Sequence, residues 1–175
     1  MPVSLYRYAR WSAVVAALLS GRQIKADTVI WQGGNPPTWE NNAGWNTGMQ
    51  PSAGSQVVIP SVGAGTLTVN AGHTISAIQN HSILDVMGTL DLSGTSAQGS
   101  FTSDNKILLD GGTISNAVLT TGDKLYAGTA TVSTLQNVYI NDSYFTVQSS
   151  GGAAGSLYLT RGFSMGYFGV LDNGN

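Results

Sequence analysis

The sequence GTLDL at residues 88–92 is the clearest indicator of the architecture, because close copies of it return along the chain. The copies read GTLTV at 65–69, GTISN at 112–116 and GTATV at 128–132, and a weaker copy reads GSLYL at 155–159. They follow one another at intervals of 23, 24, 16 and 27 residues. A turn residue that leads into a short strand, repeated without helices between copies, is typical of a chain that winds into stacked coils.

The chain from Gln56 onward predicts many short strands and no helix. About three strands fit into each interval of 23 or 24 residues, so we predict an all-β fold, a right-handed parallel β-helix (β-solenoid) of about five coils. The alternative is a β-sandwich, which is also built from short strands with frequent turns. The predicted strands are 56–59, 66–70, 73–78, 83–87, 89–92, 100–103, 106–110, 113–119, 124–127, 131–135, 138–140, 144–148 and 157–160.

Residues 1–26 are predicted to be a secretory signal peptide. Arg7 and Arg10 precede an apolar run over 11–19, and the small residue Ala26 stands before Asp27. The run is too short for a transmembrane helix, which needs about 20 residues. The alternative is an amphipathic N-terminal helix that stays attached. We therefore expect export, with the mature chain secreted or held at the cell surface and without a transmembrane segment.

Charge and cysteine content exclude several classes of function. Four of the seven basic residues precede Asp27 and all nine acidic residues lie from Asp27 onward, which leaves the mature chain a net charge near −6. Nucleic acid is not expected as a partner, because binding phosphates needs a basic face. The chain has no cysteine, so disulfides, a catalytic thiolate and cysteine-ligated zinc are excluded.

Residues 27–54 differ from the rest by holding three of the four tryptophans, Trp31, Trp39 and Trp45, among turn-forming residues. We predict that this region is an N-terminal cap that covers the apolar end of the first coil. The alternative is that the rings are exposed and bind glycan by stacking on sugar faces. The solenoid repeats would occupy 55–175 and be incomplete at the C-terminal end, since an apolar run over 163–170 stands just before the last residues. An open end of this kind predicts self-association.

Sequence motifs of the cap and of the coils resemble a known family. The cap reads WQGG at 31–34, GWN at 44–46 and PSAGSQVVI at 51–59, and the coils include LDGGTIS at 109–115 and TLQNVYIN at 134–141. Residues 28–160 thereby resemble bacterial secreted β-helix proteins of the autotransporter-passenger and surface-adhesin type. This resemblance implies export, display at the bacterial cell surface or outer membrane, and roles in adhesion or matrix, with a surface glycan or protein as ligand.

No set of residues with an evident catalytic spacing stands out, and we predict no catalytic, cofactor-binding or metal-binding residues. The two histidines, His73 and His81, are expected to be exposed strand or turn residues. Four aromatic residues, Tyr139, Tyr144, Phe145 and Tyr158, are candidates for a stacked ladder. Stacking between coils is expected to bring Asp85 close to Asp110. Most of the acidic residues are expected to bond the local backbone at turns: Asp85, Asp91, Asp104, Asp110, Asp123 and Asp142.

These features favour an exported, non-enzymatic β-solenoid that acts as a cell-surface or extracellular scaffold of the adhesin type. The alternative is a carbohydrate-active protein, either a binding module or a degenerate polysaccharide-degrading β-helix. Polysaccharide hydrolysis would need two carboxylates about 5 to 10 Å apart, and Asp85 with Asp110 is the pair to test.

Overall fold

The computed structural model describes residues 26–61, 65–121, 124–128, 131–141, 148–149, 156–160 and 164–165. The predicted signal peptide lies outside the described residues apart from Ala26. The same holds for most of the apolar run over 163–170 and for Asp123, Asp142, Tyr144 and Phe145.

The chain is an all-β protein whose parallel sheets form a β-solenoid of about four turns. Every strand pairing among the described residues is parallel, and a 3-10 turn lies at Asn42–Gly44. The strands are β1 Thr28–Ile30, β2 Gln56–Ile59, β3 Thr66–Val69, β4 Gly72–Thr74, β5 Ala77–Asn80, β6 Ile83–Val86, β7 Thr89–Asp91, β8 Gly99–Ser103, β9 Ile107–Leu109, β10 Thr113–Thr120, β11 Leu125–Ala127, β12 Val132–Ile140, β13 Gln148–Ser149, β14 Ser156–Thr160 and β15 Ser164–Met165.

Three faces run along the solenoid, and each coil contributes one strand to each face. Face A stacks β1, β2, β5, β8, the end of β10, the end of β12 and β15. Face B stacks β3, β6, β9, β11 and β13. Face C stacks β4, β7, the start of β10, the start of β12 and β14. Face B thus holds five rungs separated by four turns of the chain, which is one turn fewer than the five coils predicted.

The core consists of inward side chains that stack from coil to coil. One column of face A contains Val57, Ile78, Phe101, Leu119 and Ile140, which the strand register places on top of one another, and all are 1% exposed or less. Because side chains alternate between the two sides of a strand, every second residue of each short strand enters this core. Burial of these columns is the main stabilising contribution.

The Gly-Thr copies that predicted the coils do not all occupy the same place. Gly88 and Gly112 immediately precede strands of face C, and the threonines that follow them are paired with each other. Thr66 instead begins β3 on face B and pairs with Ile83. The interval between the copies at Gly65 and Gly88 is therefore not the length of one coil, because Thr89 stacks on Gly72 and not on Thr66. The next interval is one coil, because Thr113 stacks on Thr89. The coils have unequal lengths.

Two predicted strand boundaries are wrong. The strand predicted over 73–78 is two strands, β4 and β5, because the chain turns a corner at Ile75 and Ser76 without any glycine or proline. The strands predicted over 131–135 and 138–140 are one element, β12, which bends from face C to face A at Asn137. Asn137 makes this bend in the left-handed conformation, at φ 51°.

The predicted aromatic ladder is also wrong for the two of its members that the structure describes. Tyr139 belongs to face A, where it pairs with Val118. Tyr158 belongs to face C, where it pairs with Thr134. The bend at Asn137 separates the two rings onto different sides of the solenoid, because the residues before it lie on face C and those after it lie on face A.

Candidate functional site

The three tryptophans of the N-terminal region pack against one another inside the molecule. Trp31, Trp39 and Trp45 are 5%, 0% and 2% exposed. The Trp45 ring lies edge-on to both others, with ring centroids 5.0 Å from Trp31 and 4.9 Å from Trp39. Its Nε1–H donates to the Trp39 carbonyl oxygen at 2.8 Å. Gly44 lies beneath the Trp31 ring, where a β-carbon would come within 2.1 Å of Cζ3. No ring has an open face on which a sugar could stack.

The segment that carries these rings also pairs with the first coil. β1 continues face A below β2, and Thr38 forms a parallel bridge with Thr68 of β3. The Trp39 amide donates to the Thr68 carbonyl at 2.8 Å, and the Thr68 amide donates to the Pro37 carbonyl at 3.0 Å. The free edges of β2 and β3 are therefore occupied by backbone from residues 28–39, which is how a sheet edge is protected from pairing with other chains.

Glu40 joins this segment to the corner between β3 and β4. Its Oε1 accepts the backbone N–H groups of Asn70 and Ala71, both at 3.0 Å, and Nε2–H of His73 at 3.0 Å. Partial burial pushes the Glu40 pKa up, but these hydrogen bonds outweigh it and lower the pKa from 4.5 to about 2. The carboxylate is thus ionised and hydrogen-bonded through Oε1 to three groups, which suits a structural contact rather than a proton donor.

His73 was expected to be exposed, and this is wrong. Its side chain is 10% exposed, because it stands at the inward position of β4, level with buried Leu90 on the next coil. The Trp39 ring covers it, with ring centroids 5.5 Å apart. Sequence reasoning missed the Glu40–His73 pair, since 33 residues separate the two and no local pattern links them.

His81 and Asp104 form a second acid–histidine pair, at the corner between faces A and B. The His81 Nδ1 lies 2.7 Å from Asp104 Oδ2, and the side chains are 46% and 68% exposed, as the turn assignment of His81 predicted. The pair lines a shallow depression of about 190 Å³. Water screens such an exposed pair, so its contribution to stability is small.

Asp85 and Asp110 interact across adjacent coils, as stacking predicted. Burial raises the pKa of Asp85, and the negative charge of Asp110 raises it further. Asp85 Oδ1 is buried without a hydrogen-bond partner among the described residues. Asp110 Oδ1 accepts a hydrogen bond from the Thr131 hydroxyl at 3.1 Å. Two neighbouring carboxylates, one held toward its protonated form, are the groups that glycoside hydrolysis uses.

The Asp91 carboxylate instead accepts hydrogen bonds from neighbouring side chains and backbone. Burial favours its protonated form, but hydrogen bonds from the side chains of Asn116 and Ser93 and from the Ser93 amide lower its pKa overall. Asn116 in turn accepts the Nδ2–H of Asn137 at 2.7 Å, so the three side chains form a chain of hydrogen bonds along one corner. Within the part of the chain that the structure describes, no three histidine or acidic side chains come together as a metal site would require.

A groove lies on the outer side of face A. It has a volume of about 340 Å³ and crosses β1, β2, β5 and β8. The register places its outward side chains in two columns, one through Gln56, Ala77 and Ser100 and the other through Val58, Gln79 and Thr102. None of its lining residues is charged: Thr28, Gln56, Val57, Val58, Ala77, Ile78, Gln79, Ser100 and Thr102. This uncharged groove is the best candidate for ligand binding, and sequence reasoning missed it because its members come from separate coils.

The described residues contain no helix long and apolar enough to cross a membrane. Comparisons with protein-family models, with curated proteins and with solved structures find no match to this chain.

Proposed function

We propose that this chain is an exported, non-enzymatic β-solenoid that acts as a cell-surface or extracellular scaffold of the adhesin type, similar to autotransporter passenger and surface-adhesin repeat proteins. The observation that supports it is the outer groove of face A, which offers amide and hydroxyl groups but no acid, base or nucleophile pair. A surface of this chemistry can hold a ligand without reacting with it.

Export is part of the proposal. A cleaved leader over residues 1–26 would deliver the remainder to the outside of the cell. Expression of the full chain in a bacterial host should place the protein outside the cytoplasm, with a new N-terminus at or near Asp27. N-terminal sequencing of the exported protein measures this directly. An N-terminus at Met1, with all of the protein in the cytoplasm, would contradict the export proposal.

Adhesion is tested with the exported protein itself. Cells that display the chain, or beads that carry it, should attach to a bacterial or host-cell surface more than cells or beads without it. The control is heat-unfolded protein on the same beads. Attachment that is equal with folded and unfolded protein would contradict a scaffold whose binding depends on its fold.

A second candidate function is carbohydrate degradation at Asp85 and Asp110, favoured by the raised pKa of Asp85 beside a second carboxylate. Incubation with polyuronates and neutral glycans, followed by assay of new chain ends, measures turnover. Turnover that disappears in both Asp85→Asn and Asp110→Asn would establish this function and overturn the non-enzymatic one. Asp104→Asn is the matched control, because Asp104 lies at a different corner.

A further inference from the structure

We propose that the outer groove of face A binds an uncharged polysaccharide chain, with the side-chain amides of Gln56 and Gln79 as its main hydrogen-bonding groups. This deepens the proposed adhesin-like function and rests on it. It adds the class of ligand, the face that holds it and the residues that recognise it.

The first support is the free hydrogen-bonding capacity of the groove. Gln56, Gln79 and Ser100 are exposed, and among the described residues their side chains make no intramolecular hydrogen bond. Of the hydroxyl and amide groups in the groove, Thr102 alone bonds the protein, through a weak contact to the Ile78 carbonyl at 3.4 Å. Each glutamine amide offers two donors and an acceptor, which is the set that sugar hydroxyls need. The β-sheet fixes the backbone positions from which these side chains extend, so their spacing along the face is set before a ligand arrives.

The second support is the spacing of these groups. Gln79 stacks one coil above Val58, and Thr102 one coil above Gln79. Adjacent coils are about 4.8 Å apart, and each of the successive strands β2, β5 and β8 contributes at least one polar side chain to the groove: Gln56 from one column, Gln79 from the other, and Ser100 and Thr102 from both. A ligand built from repeating units can meet one such group on each coil, whereas a single small molecule would use only part of the groove.

The third support is the distribution of charge. The groove contains no charged side chain, while exposed acids flank it: Asp27 immediately precedes β1, and Asp104 lies at the corner beside Thr102. Residues 27–175 carry a net charge near −6, since nine acids face three bases. A polyuronate or sulfated chain would be repelled by this surface, and nothing in the groove would neutralise it.

A protein partner is a poorer match for the same surface. Protein interfaces depend on a few large anchors, most often tryptophan, tyrosine or arginine. The groove lining contains none of these. Its apolar outward members are the half-buried Val58 and Ala77, which can lie under the apolar side of a sugar ring but cannot form an anchor.

Binding is tested with the folded exported protein and defined probes. Affinity electrophoresis and calorimetry would compare a β-1,4-glucan, a β-1,3-glucan, an α-1,4-glucan and a galactomannan with polygalacturonate. At least one neutral probe should bind, and polygalacturonate should bind at least tenfold more weakly. The double variant Gln56→Ala/Gln79→Ala should weaken binding of the neutral probe about tenfold, since each neutral hydrogen bond contributes modestly.

The matched control is Gln136→Ala, which removes the same side chain from β12 on face C and should leave binding unchanged. A second variant, Gln79→Glu, keeps the side-chain shape and adds charge, and it should weaken binding without altering the thermal unfolding midpoint. Three results would overturn the proposal. They are equal binding by wild type and the double variant, stronger binding of polygalacturonate than of the neutral probes, and pairing of two protein copies through face A with no glycan bound. Cell attachment that survives in the double variant would overturn the groove as the site while leaving the adhesin-like function standing.

Discussion

At the scale of single residues, the glycines of the Gly-Thr copies have different roles. A β-carbon on Gly112 would lie 2.1 Å from the Val86 carbonyl oxygen on the coil below. A β-carbon on Gly65 would have no atom of the described residues within 4 Å. Gly112→Ala should therefore destabilise the fold by about 2–4 kcal/mol, and Gly65→Ala by less than about 0.5 kcal/mol. Denaturant titration followed by tryptophan fluorescence measures both, and equal losses would show that the glycines act through local turn preference alone.

Glu40 should make stability fall in acid. Its pKa is lowered to about 2 in the folded protein from 4.5, so its contribution is complete above about pH 4.5 and is lost as pH falls toward 2. Glu40→Gln should cost about 1–2 kcal/mol at pH 7, allowing for solvent screening, and the difference from wild type should shrink below pH 4.5. Asp104→Asn, from the exposed histidine pair, is the control with little effect. A Glu40→Gln loss that stays constant from pH 7 to pH 2.5 would contradict this account.

Asp85 should lower the stability of the folded protein at neutral pH rather than in acid. Burial, and then the charge of Asp110, raise its pKa, so the folded state disfavours the ionised carboxyl. This penalty is absent well below pH 3.8, the ordinary value, grows as pH rises from there to the folded pKa, and is constant at higher pH. Asp85→Asn should raise the midpoint of thermal unfolding at pH 7 and have little effect at pH 3. A lower midpoint at pH 7 would mean that the ionised group has a favourable contact.

At the scale of elements, the corner between faces C and A depends on left-handed asparagines. Asn116 and Asn137 have φ values of 53° and 51°, a conformation that asparagine and glycine tolerate better than other residues. Asn137→Ala loses both this tolerance and the hydrogen bond to Asn116, so it should cost about 1–3 kcal/mol. Asn137→Gly keeps the backbone conformation and should cost less. Thermal unfolding ranks the two variants, and an alanine variant as stable as the glycine variant would rule out backbone strain at this bend.

Most strands were predictable because apolar and polar residues alternate visibly in each of them. It failed where a corner carries no turn residue. Ile75 is buried and β-branched, so residues 73–78 read as one strand although the chain turns there. Burial of the three tryptophans was predictable from their position among turn formers. The Glu40–His73 pair and the groove of face A were not, because each depends on which residues the register brings side by side.

At the scale of the whole molecule, the N-terminal segment closes one end of the stack. Removing the rings in Trp39→Ala/Trp45→Ala should uncover the inward columns and produce concentration-dependent oligomers. Trp39→Phe retains much of the ring and removes an N–H without a hydrogen-bond partner among the described residues, so it should keep the mass of the wild type. Light scattering after size-exclusion chromatography measures the masses, with circular dichroism to confirm β structure. A folded double variant that is monomeric at every concentration would contradict the closing role.

The unequal coils have a consequence for how such a chain can change. Between β7 and β8 the corner runs from Leu92 to Gln98, whereas the next coil makes the same corner with Asn116 alone. The strands on either side keep their pairing despite this difference, and Thr95, Ser96 and Ala97 are exposed at the tip. Evolution can therefore lengthen this loop, and an engineer can graft a foreign epitope at Ser96, while the rungs above and below stay in place.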